Sequence, residues 1–379
     1  MPSLELLEKG RGWIIWLENI IFFSFLIISA FYYYYSTKRV LHLKEKAFND
    51  EKLNAENYCV SVIIPARNEE KNLSKLLPLL LDQSVRPYEI IIVDDNSTDN
   101  TSVVASSFPN VCVVKLTTEP PKGWIGKSWA IWNGYLNSHG DYLLFLDADV
   151  EPSNVFIESL VKIHKKYGGL LSIWPYQRLE KFYEHFTLPF NLMIVYASNN
   201  LGFPNKKPSG AFGPVIFTSK KDYQLIGGHE AIKDSVLEDI KLGRLYSEHG
   251  LNVSNFLGNH TVKFRMYPLG LKQLFEGFSK NMSSGAITGG WFSFILAILW
   301  MFGIYSSMTS IFTFGGILRY FVTSIVLYIM AKPTGEYTFY DALLYPMYYA
   351  FFLIVFFNSL YLTIFKKEVY WKGRKIDVQ

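Results

Sequence analysis

The stretch Asp141-Tyr-Leu-Leu-Phe-Leu-Asp147-Ala-Asp149-Val150 predicts a short apolar strand that ends in two carboxylates one residue apart. In an extended backbone, residues i and i+2 face the same side, so this spacing directs Asp147 and Asp149 into one small volume. Divalent cations that also hold phosphates favour such oxygen ligands, and ligands of open α/β sheets bind outside the carboxyl ends of the strands. The stretch therefore indicates a binding site at that edge. A purely structural role stays open, because Asp also caps helices and Pro152 suits a helix start.

The chain upstream of this stretch alternates strand-like and helix-like patterns. Strands are predicted at 59–64, 88–93, 111–116 and 142–146, and helices at 69–81 (interrupted by Pro78), near 99–107 and at 127–137. The run 88–93 is continuously apolar, as expected for a strand that is buried on both faces of a parallel sheet. This alternation favours an α/β fold with a mostly parallel, Rossmann-like sheet and right-handed crossovers.

Polar residues follow three of these strands. The clusters are Pro65, Arg67, Asn68 and Glu69; Asp94, Asp95 and Asp99; and Asp147 with Asp149. A nucleotide needs an acceptor for its base, partners for its ribose hydroxyls and a cation for its diphosphate. Carboxylates at successive strand ends supply the first two and hold the third. Asp94 and Asp99 also suit turn and cap positions, but three clusters in strand order favour one convergent site.

The composition separates the middle of the chain from its ends. The 379 residues are 50% hydrophobic and 17% aromatic, and the excess over an ordinary soluble domain lies at the two ends. A formal net charge of +4, dispersed along the sequence, argues against a nucleic-acid partner. Cys59 and Cys112 each lie in a strand-like apolar run, so we expect buried thiols rather than a disulfide or metal ligands.

A hydrophobic segment at 13–35 is long enough to cross a bilayer core of about 30 Å. Trp13 and Trp16 at one end and the tyrosines 32–35 at the other suit the membrane interfaces, and no small-residue cleavage site follows. The basic residues that come next are Lys38, Arg39, Lys44 and Lys46. The positive-inside rule then predicts a transmembrane anchor that leaves the middle domain, residues 55–265, in the cytoplasm.

The region 288–365 contains further hydrophobic runs, at about 291–314, 316–331 and 339–365, with Gly315-Gly316 between the first two. We expect two to four transmembrane segments there, and thus a multi-pass protein of the cell membrane. The tail 366–379 is basic. Three full crossings after a cytoplasmic domain would put that tail outside, against the positive-inside rule, so the number of crossings stays open.

Two other segments are apolar and aromatic. The segment 182–203 suits either a buried core helix or a helix in the membrane surface, and we favour the surface helix because a lipid-soluble ligand would need a path to the site. The segment 266–285 is predicted as an amphipathic interfacial helix. Leu271, Leu274, Phe275 and Phe278 lie on one side of it, with Lys272 and Lys280 at the edges.

From about 59 to 265 the chain resembles the glycosyltransferase family 2 superfamily with its GT-A fold. The resemblance rests on the three strand-end clusters. Three stretches are similar to a membrane-anchored branch that includes carotenoid (diaponeurosporenoate-type) and hopanoid-associated glycosyltransferases: Pro121-Lys-Gly-Trp-Ile-Gly-Lys127-Ser-Trp-Ala130, Phe145-Leu-Asp-Ala-Asp-Val150 and Tyr370-Trp-Lys-Gly-Arg374. The resemblance implies a GT-A domain flanked by transmembrane helices.

The resemblance also implies roles for individual residues. The motif that lines the nucleotide pocket matches Pro65, Arg67, Asn68 and Glu69, and the carboxylate that contacts the base matches Asp94, next to Asp95. The pair at the ribose and at a divalent cation, Mg²⁺ or Mn²⁺, matches Asp147 and Asp149. The Glu-Asp motif whose Asp is the usual general base matches Glu238 and Asp239, in Val236-Leu-Glu-Asp-Ile-Lys-Leu-Gly243.

Sugar transfer from a nucleotide donor builds negative charge on the leaving diphosphate, which a metal and nearby cations stabilise. Lys127, at a predicted helix start beside Gly126, and Arg265 are candidate diphosphate partners, with Lys280 as a further candidate. An inverting displacement also needs a carboxylate to take the acceptor's proton, and Asp239 is the candidate. His229 is typical of a structural histidine, although a ligand or substrate contact stays open.

Motifs of other classes are absent from the sequence. A P-loop needs Gly where the chain has Pro121, and a dinucleotide-binding turn needs Gly-x-Gly-x-x-Gly where Pro65-Ala-Arg-Asn stands. No Gln-x-x-Arg-Trp motif of processive polysaccharide synthases follows Asp239. We therefore predict transfer of one sugar from a nucleotide-sugar donor to a membrane lipid acceptor, a terpenoid (carotenoid or hopanoid type) first and a polyprenyl phosphate as the rival. A non-catalytic nucleotide-binding membrane protein is the alternative from a different class.

Overall fold

The computed structural model describes residues 13–34, 58–197, 208, 210–286, 290–309, 314–362, 368–371 and 374–377. Within these ranges the helices are α1 (Trp13–Tyr34), α2 (Glu70–Leu81), α3 (Thr101–Ser106), α4 (Gly126–Leu136), α5 (Phe156–Tyr167), α6 (Leu188–Leu192), α7 (Lys220–Leu225), α8 (Glu238–Glu248), α9 (Leu271–Ala286), α10 (Trp291–Thr309), α11 (Phe314–Ala331), α12 (Phe339–Leu343) and α13 (Tyr345–Tyr361). The strands are β1 (Val60–Ala66), β2 (Glu89–Asp95), β3 (Val111–Leu116), β4 (Tyr142–Leu146), β5 (Val150–Pro152), β6 (Leu170–Trp174), β7 (Tyr176–Gln177), β8 (Val215–Ser219), β9 (Val253–Leu257), β10 (Val262–Phe264), β11 (Glu368–Trp371) and β12 (Arg374–Asp377). Short 3₁₀ or π-helical segments lie at Phe182–Thr187, Met193–Ala197 and Gly228–Ile232.

Seven strands form the main sheet, in the order β3-β2-β1-β4-β8-β6-β9. The first four of that row are parallel, β8 runs antiparallel to both of its neighbours, and β9 is parallel to β6. The predicted mostly parallel α/β sheet is confirmed. All four predicted strands are present. Strand β1 continues to Ala66 and β2 to Asp95, so Asp94 and Asp95 still belong to β2, whereas Arg67 follows β1 directly.

Helices cover both faces of the main sheet, and alternate residues of β1 are therefore buried on opposite sides of it. Val62 and Ile64 pack with the leucines of α2, whereas Ile63 packs in the layer of α4. Helix α2 continues through Pro78, so the predicted interruption is wrong. Pro78 lies on the exposed face of the helix, while the opposite face is held in the core by Leu73, Leu76, Leu77 and Leu80.

The two cysteines differ from the expectation of buried thiols. Cys112 is exposed, and Cys59 is partly buried. The expectation fails for Cys112 because β3 is an edge strand of the main sheet, and one of its faces lies partly in solvent. An apolar strand pattern does not distinguish an edge strand from a central one.

A second, three-stranded sheet in the order β5-β10-β7 lies where the region of the main sheet meets the C-terminal third of the chain. The main chain of Gln177 in β7 forms two hydrogen bonds with the loop after α11. Its N–H donates to the carbonyl of Thr334 at 2.9 Å, and its carbonyl accepts from the N–H of Glu336 at 2.8 Å. These bonds attach the helices of the C-terminal third directly to the sheet region.

We call α1 and α9–α13 together the helical module. By length and composition α1 and α10 can cross a membrane, with mean hydropathies of 2.1 and 1.6, and α11 is a shorter apolar helix. They pack together: the Trp300 indole N–H donates to the Ser29 hydroxyl at 2.9 Å, and Gly303 lies against Phe25. Two predictions are corrected here. Gly315 and Gly316 lie inside α11 rather than between segments, and the third hydrophobic run is two helices that meet at Leu344.

The preferred interpretation of 182–203 as a membrane-surface helix is wrong for 188–197; Phe182 at the start of the segment is 61% exposed, and 198–203 lies outside the described residues. All five side chains of α6 are buried. The Phe190 ring stacks on that of Phe278 with centroids 3.9 Å apart and meets Phe352 at 5.1 Å. The Tyr196 hydroxyl donates to the Met330 carbonyl at 2.7 Å. A helix that is apolar all round has no polar face for water, so the segment is core between the sheet and the helical module.

Helix α9 corresponds to the predicted amphipathic helix but begins at Leu271, after Gly270. Leu274 and Phe278 are buried, and the helix packs against α13. Its polar face carries Lys272 and Glu276, 3.9 Å apart and exposed. The apolar face of α9 thus faces protein, and its placement at a membrane interface stays a prediction.

Candidate active site

One large cavity of about 2190 Å³ runs along the carboxyl ends of the parallel strands and continues into the helical module. Most of the predicted site residues line it: Pro65, Arg67, Asn68, Glu69, Asp95, Lys127, Asp147, Asp149, Glu238 and Asp239. They come from five separate parts of the chain that the fold brings together at one edge of the sheet. The convergence predicted from the strand-end clusters is therefore present in the fold.

Lys127 lies at the centre of the polar end of this cavity, in the first turn of α4. Its Nζ is 2.9 Å from Oδ1 of Asp147 and 3.2 Å from Oε1 of Glu238. Burial alone would lower the pKa of Lys127, but the carboxylates of Asp147, Glu238 and Asp239 outweigh burial and hold that pKa above its ordinary value. The ammonium group is therefore a fixed positive charge among three carboxylates.

Asp239 lies in the first turn of α8, where its Oδ1 accepts the backbone N–H of Ile240 at 2.9 Å. Its Oδ2 faces Gly213, and a Cβ at that glycine would come within 2.9 Å of it. Burial, and then the charge of Glu238, raise the pKa of Asp239 to about 7 in spite of Lys127. A carboxylate with a pKa near neutrality suits a general base, because it is both available and basic at pH 7.

Asp147 and Asp149 lie in the turn between β4 and β5 rather than in extended backbone. The N–H of Asp147 donates to the carbonyl of Pro214 at 3.0 Å, which ties this turn to the strand start of β8. Both residues still line the cavity, so the predicted convergence is present although the predicted strand geometry is not.

The donor set at this turn fits a divalent cation that shares its ligands with a substrate. Among the described residues, no group of three or more His, Cys, Asp or Glu side chains converges to hold a metal. Mg²⁺ is usually held by one or two carboxylates together with substrate phosphates and water, so a complete protein cage is not required. Asp149 lines the cavity and provides carboxylate oxygens of that kind.

The loops after β1 and β2 are joined by side-chain hydrogen bonds. Asn68 adopts a left-handed backbone conformation, φ 56°, and its Oδ1 accepts the N–H of Thr98 at 2.8 Å. The N–H of Glu69 donates to the Thr101 hydroxyl at 2.8 Å. The side chain of Asn68 therefore holds the shape of the loop. Arg67 beside it lines the cavity, and its guanidinium donates to the Asp95 carbonyl at 2.9 Å.

The structure assigns the cavity position at the end of β2 to Asp95 and not to Asp94. The carboxylate of Asp94 accepts the N–H of Ser97 at 3.0 Å and the hydroxyl of Ser102, and it does not line the cavity. Asp94 thus has the turn role that the sequence left open. Asp95 lines the cavity in place of Asp94, because neighbouring strand residues face opposite sides and the sequence alone does not say which side holds the site; the base contact itself stays a prediction.

One predicted diphosphate partner, Arg265, does not join the cluster. Arg265 forms ion pairs with Glu180 and Glu184, each at 2.6 Å, and it does not line the cavity. Glu184 is fully buried, so Arg265 is needed there to neutralise it. Lys280 belongs to α9, and its side chain lies outside the described residues.

Sequence reasoning missed the contact between Tyr267 and Gly277 at the middle of the cavity. Tyr267 has φ 57°, which is rare for a residue other than glycine, and its side chain is half-buried. Its ring lies so close to Gly277 of α9 that a Cβ there would be 2.2 Å from a ring carbon. A glycine inside an amphipathic helix pattern is the signal that could have indicated this close approach.

The far end of the cavity is apolar. Its walls come from α6, α9, α10 and α13, with Phe190, Met193, Phe278, Met301, Phe352 and Phe356 among the lining residues. We call this end the apolar arm. Several of its lining side chains are also exposed, including Phe302 at 55%, Tyr305 at 59% and Phe357 at 62%. The arm therefore opens sideways, onto the apolar outer surface of α10 and α13.

Comparison with known proteins agrees with this geometry. The family model described as Glycosyl transferase family 2 matches residues 61–224. A 4,4'-diaponeurosporenoate glycosyltransferase of Staphylococcus haemolyticus (strain JCSC1435) is 33% identical over 352 residues, which cover 88% of this chain and 92% of that protein. The chain belongs to glycosyl transferase family 2.

Other relatives support this assignment to family 2. The protein of the same name from Staphylococcus aureus (strain MRSA252) is 33% identical over 342 residues, covering 86% of this chain and 90% of that protein. A mannosyltransferase from Pyrobaculum calidifontis, solved in complex with GDP-Man and Mn²⁺, has a TM-score of 0.52 at 14% identity and covers 93% of this chain and 99% of its own. Its likeness confirms the GT-A fold. This family 2 protein is therefore an enzyme, a glycosyltransferase.

Proposed function

We propose that this protein is an inverting, metal-dependent glycosyltransferase that moves one sugar from a nucleotide-sugar donor to a terpenoid lipid of the carotenoid type. The observation that supports this most is the continuity of a single cavity, with partly buried carboxylates at one end and the apolar arm at the other. A nucleotide sugar fits the charged end, and a hydrocarbon chain fits the apolar end. The sugar then meets the acceptor where the two ends join, near Asp239.

The proposed donor site uses the strand-end residues. Arg67 and Asp95 lie where a base and ribose bind at the ends of β1 and β2, and Asp149 holds a divalent cation, Mg²⁺ or Mn²⁺, at the diphosphate. When bound, that cation neutralises negative charge on the diphosphate. Lys127 adds a second positive charge beside Asp147. The relative solved with GDP-Man and Mn²⁺ supports this pairing of a nucleotide sugar with a cation.

Asp239 is the proposed general base. An inverting displacement needs a group on the acceptor side that removes the acceptor's proton, and a pKa of about 7 allows Asp239 to do this at neutral pH. Gly213 leaves room for its carboxylate at the cavity wall. The requirement depends on the acceptor: a hydroxyl must lose its proton to the base, whereas a carboxylate or phosphate acceptor is already ionised and needs the base less.

The lipid nature of the acceptor is supported by the apolar arm and by the relatives. They are named for 4,4'-diaponeurosporenoate, whose name denotes a carotenoid carboxylate. A long unsaturated chain matches an elongated cavity lined by aromatic residues and methionines. The sideways opening onto the exposed face of α10 lets such a chain enter from a bilayer without passing through water.

The helical module is proposed to embed the enzyme in the cell membrane, with the sheet domain in the cytoplasm. The polar residues of its apolar helices pair with each other: Arg319 of α11 donates to Asn19 of α1 at 2.6 Å and lies 3.5 Å from Glu18. Charged residues at membrane depth are expected to be paired within the protein. The pairing compensates the charges of Glu18 and Arg319 within α1 and α11.

The test is product formation by the full-length protein in membranes. It is incubated with UDP-Glc or GDP-Man, Mg²⁺ or Mn²⁺, and each of three acceptors: a carotenoid acid, a terpenoid alcohol and a polyprenyl phosphate. Mass spectrometry should show a glycosylated terpenoid that disappears when EDTA removes the cation. Sugar found only on the polyprenyl phosphate would overturn the terpenoid assignment. Failure to release nucleoside diphosphate from any donor would favour the non-catalytic alternative.

A further inference from the structure

The C-terminal basic tail conflicts with a simple count of crossings. The tail carries Lys366, Lys367, Lys372, Arg374 and Lys375. If α10, α11 and the last hydrophobic run each crossed the bilayer, the tail would lie on the side opposite the catalytic domain. Basic residues close to a membrane segment favour the cytoplasmic side, which is the side proposed for the catalytic domain. The contacts of α12 and α13 resolve this conflict.

The direction of α11 is fixed by contacts at its two ends. Near its start, Arg319 pairs with Asn19 and Glu18, which lie in the first turns of α1. Near its end, the Met330 carbonyl accepts the Tyr196 hydroxyl, and the loop that follows bonds to Gln177 of the catalytic half. Helix α11 therefore runs toward the catalytic domain and ends on its side.

Helix α12 then turns back along α11. The Phe339 ring lies 5.8 Å from that of Tyr328, and the carbonyl of Leu343 accepts the hydroxyl of Tyr320. The distance along α11 from Ala331 back to Tyr320 is about 17 Å at 1.5 Å per residue, which is roughly half of a 30 Å hydrocarbon core. The junction at Leu344 thus lies about halfway across the proposed membrane.

Helix α13 returns from that depth to the catalytic side. It begins beside α11, where the ring centroids of Tyr345 and Tyr320 are 5.0 Å apart. One turn later it contacts α10, where the ring centroids of Tyr349 and Trp300 are 6.2 Å apart. Its last turn reaches α9, where the Asn358 amide donates to Ser279 at 3.0 Å. Helix α9 is joined to the catalytic domain through β10, and the backbone of β11 also lies against α9.

Three polar groups of the α12–α13 junction find partners within the protein, as irregular backbone at membrane depth requires, whereas the buried Tyr345 hydroxyl has no hydrogen-bond partner among the described residues. The Leu343 carbonyl is bonded by Tyr320, and the Leu344 N–H donates to the Tyr340 carbonyl at 3.0 Å. The buried carboxylate of Asp341 accepts the Tyr348 hydroxyl at 3.1 Å and lies 2.6 Å from Nδ1 of His185. The junction therefore exposes none of these groups to lipid.

We propose that α12 and α13 form a re-entrant hairpin, which enters the bilayer from the catalytic side, turns at Leu344 and leaves on the same side. The chain then crosses the membrane at α1, α10 and α11, and β11 and β12 lie on the side of the catalytic domain. This inference rests on the proposed membrane location of the enzyme. Because α13 supplies one wall of the apolar arm, the proposed hairpin also lines the proposed path of the acceptor.

The test is the side from which single cysteines react with a membrane-impermeant maleimide, in sealed vesicles of both orientations. The background is the full-length chain with Cys59→Ala and Cys112→Ser. Tyr340→Cys, at the start of the hairpin and 77% exposed, and Tyr361→Cys, at its end and 50% exposed, are the probes. Lys71→Cys on α2 marks the catalytic side, and Thr309→Cys at the end of α10 marks the opposite side.

Both probes should react from the same side as Lys71→Cys, and Thr309→Cys from the other. Reaction of Tyr361→Cys together with Thr309→Cys would show a full crossing and overturn the proposal. A protease-cleavable tag added after Gln379 gives a second readout: cleavage from the catalytic side supports the hairpin, and cleavage from the opposite side refutes it. Sugar transfer is measured in the same vesicles as an independent assay. The labelling pattern tests the hairpin whether or not the protein is active, so failure of the hairpin and failure of the proposed function can be told apart.

Discussion

The two ends of the cavity are built on different principles. At the polar end, each group is a particular residue type at the end of a strand or the start of a helix, and Lys127 is fixed by Asp147 and Glu238 within about 3 Å. The apolar arm is a space between helices, lined by large side chains that other large side chains could replace. The difference teaches that chemistry constrains the identity of residues at one end, whereas shape constrains the packing of helices at the other.

The largest expected effect concerns the polar end. Asp239→Asn should lower kcat/KM for a terpenoid alcohol by about 10²- to 10⁴-fold, because the amide cannot accept the acceptor's proton. With a carotenoid acid the loss should be much smaller, since that acceptor arrives ionised. The measurement is initial rates of product formation with both acceptors.

The matched control is Asp141→Asn, which removes an exposed carboxylate at the opposite end of β4 and should leave both rates unchanged. An Asp239→Asn enzyme that glycosylates the alcohol at the wild-type rate would remove Asp239 from the chemistry. Equal and large losses with both acceptors would indicate that Asp239 acts on the donor side instead.

The next effect concerns the apolar arm. Phe302→Asp places a charge where the arm opens on α10, and it should raise KM for a lipid acceptor by about tenfold or more, because burying one large apolar side chain contributes about 1.5–3 kcal/mol. The donor KM, measured by nucleoside diphosphate release, should stay the same. Phe292→Asp is the control, since Phe292 is similarly exposed on the same helix but does not line the cavity. If both variants behave alike, the arm is not the acceptor path.

The junction between the two ends gives a third, smaller effect. Gly277→Ala should cost about 1–3 kcal/mol of stability, or displace Tyr267, because the new methyl group would lie 2.2 Å from the ring. Helix propensity alone predicts the opposite sign, a gain of about 1 kcal/mol. Thermal unfolding in detergent distinguishes the two.

A second variant separates this contact from a general effect on α9. In the double variant Gly277→Ala with Tyr267→Ala the clash is gone, so the alanine at 277 should now stabilise relative to the Tyr267→Ala single variant. If Gly277→Ala is neutral or stabilising in the wild-type background, the close packing of Tyr267 on α9 is wrong.

The smallest effect lies beneath the polar end, at His229. The side chain is fully buried, its Nδ1 is 2.7 Å from the Tyr223 hydroxyl, and burial lowers its pKa to about 3. The unfolded chain takes up a proton near pH 6.5 that the folded protein does not, so stability falls as the pH drops below about 6.5, by at most about 1.4 kcal/mol per pH unit. Unfolding measured from pH 7 to 5 should show this slope, and His229→Gln should reduce it. An unchanged slope would contradict a neutral buried His229.

Much of the polar end could be predicted from sequence, and the reasons are physical. Strand-end carboxylates at Asp147 and Asp149 and the Glu238-Asp239 pair are recognisable because few other residue types can hold a cation or take a proton. Which of Asp94 and Asp95 lines the cavity could not be predicted, because it depends on which face of β2 the site occupies. Arg265 failed because a buried carboxylate, Glu184, lies close in space but 81 positions away in the sequence.

The apolar arm and the helix arrangement were harder to predict. Segment 182–197 has the composition of both a core helix and a membrane-surface helix, and only its partners, Phe278 and Phe352 among them, decide between the two. The break at Leu344 carries no glycine or proline of its own, although Pro346 follows it. Hydropathy indicates how apolar a segment is, but it does not indicate at which residue a helix ends and the chain reverses direction.

The hydrogen bonds between Gln177 and the loop at Thr334 and Glu336 have a practical consequence. One continuous core of side chains extends from the sheet through α6 to α11 and α13, and these main-chain bonds close its edge. A fragment that ends after β10 would leave the backbone of β7 at Gln177 without its partners. It would also expose the aromatic residues that line the apolar arm. Purification and assay should therefore keep the chain whole, in detergent or lipid nanodiscs, because the trimmed fragment would be a different and aggregation-prone molecule.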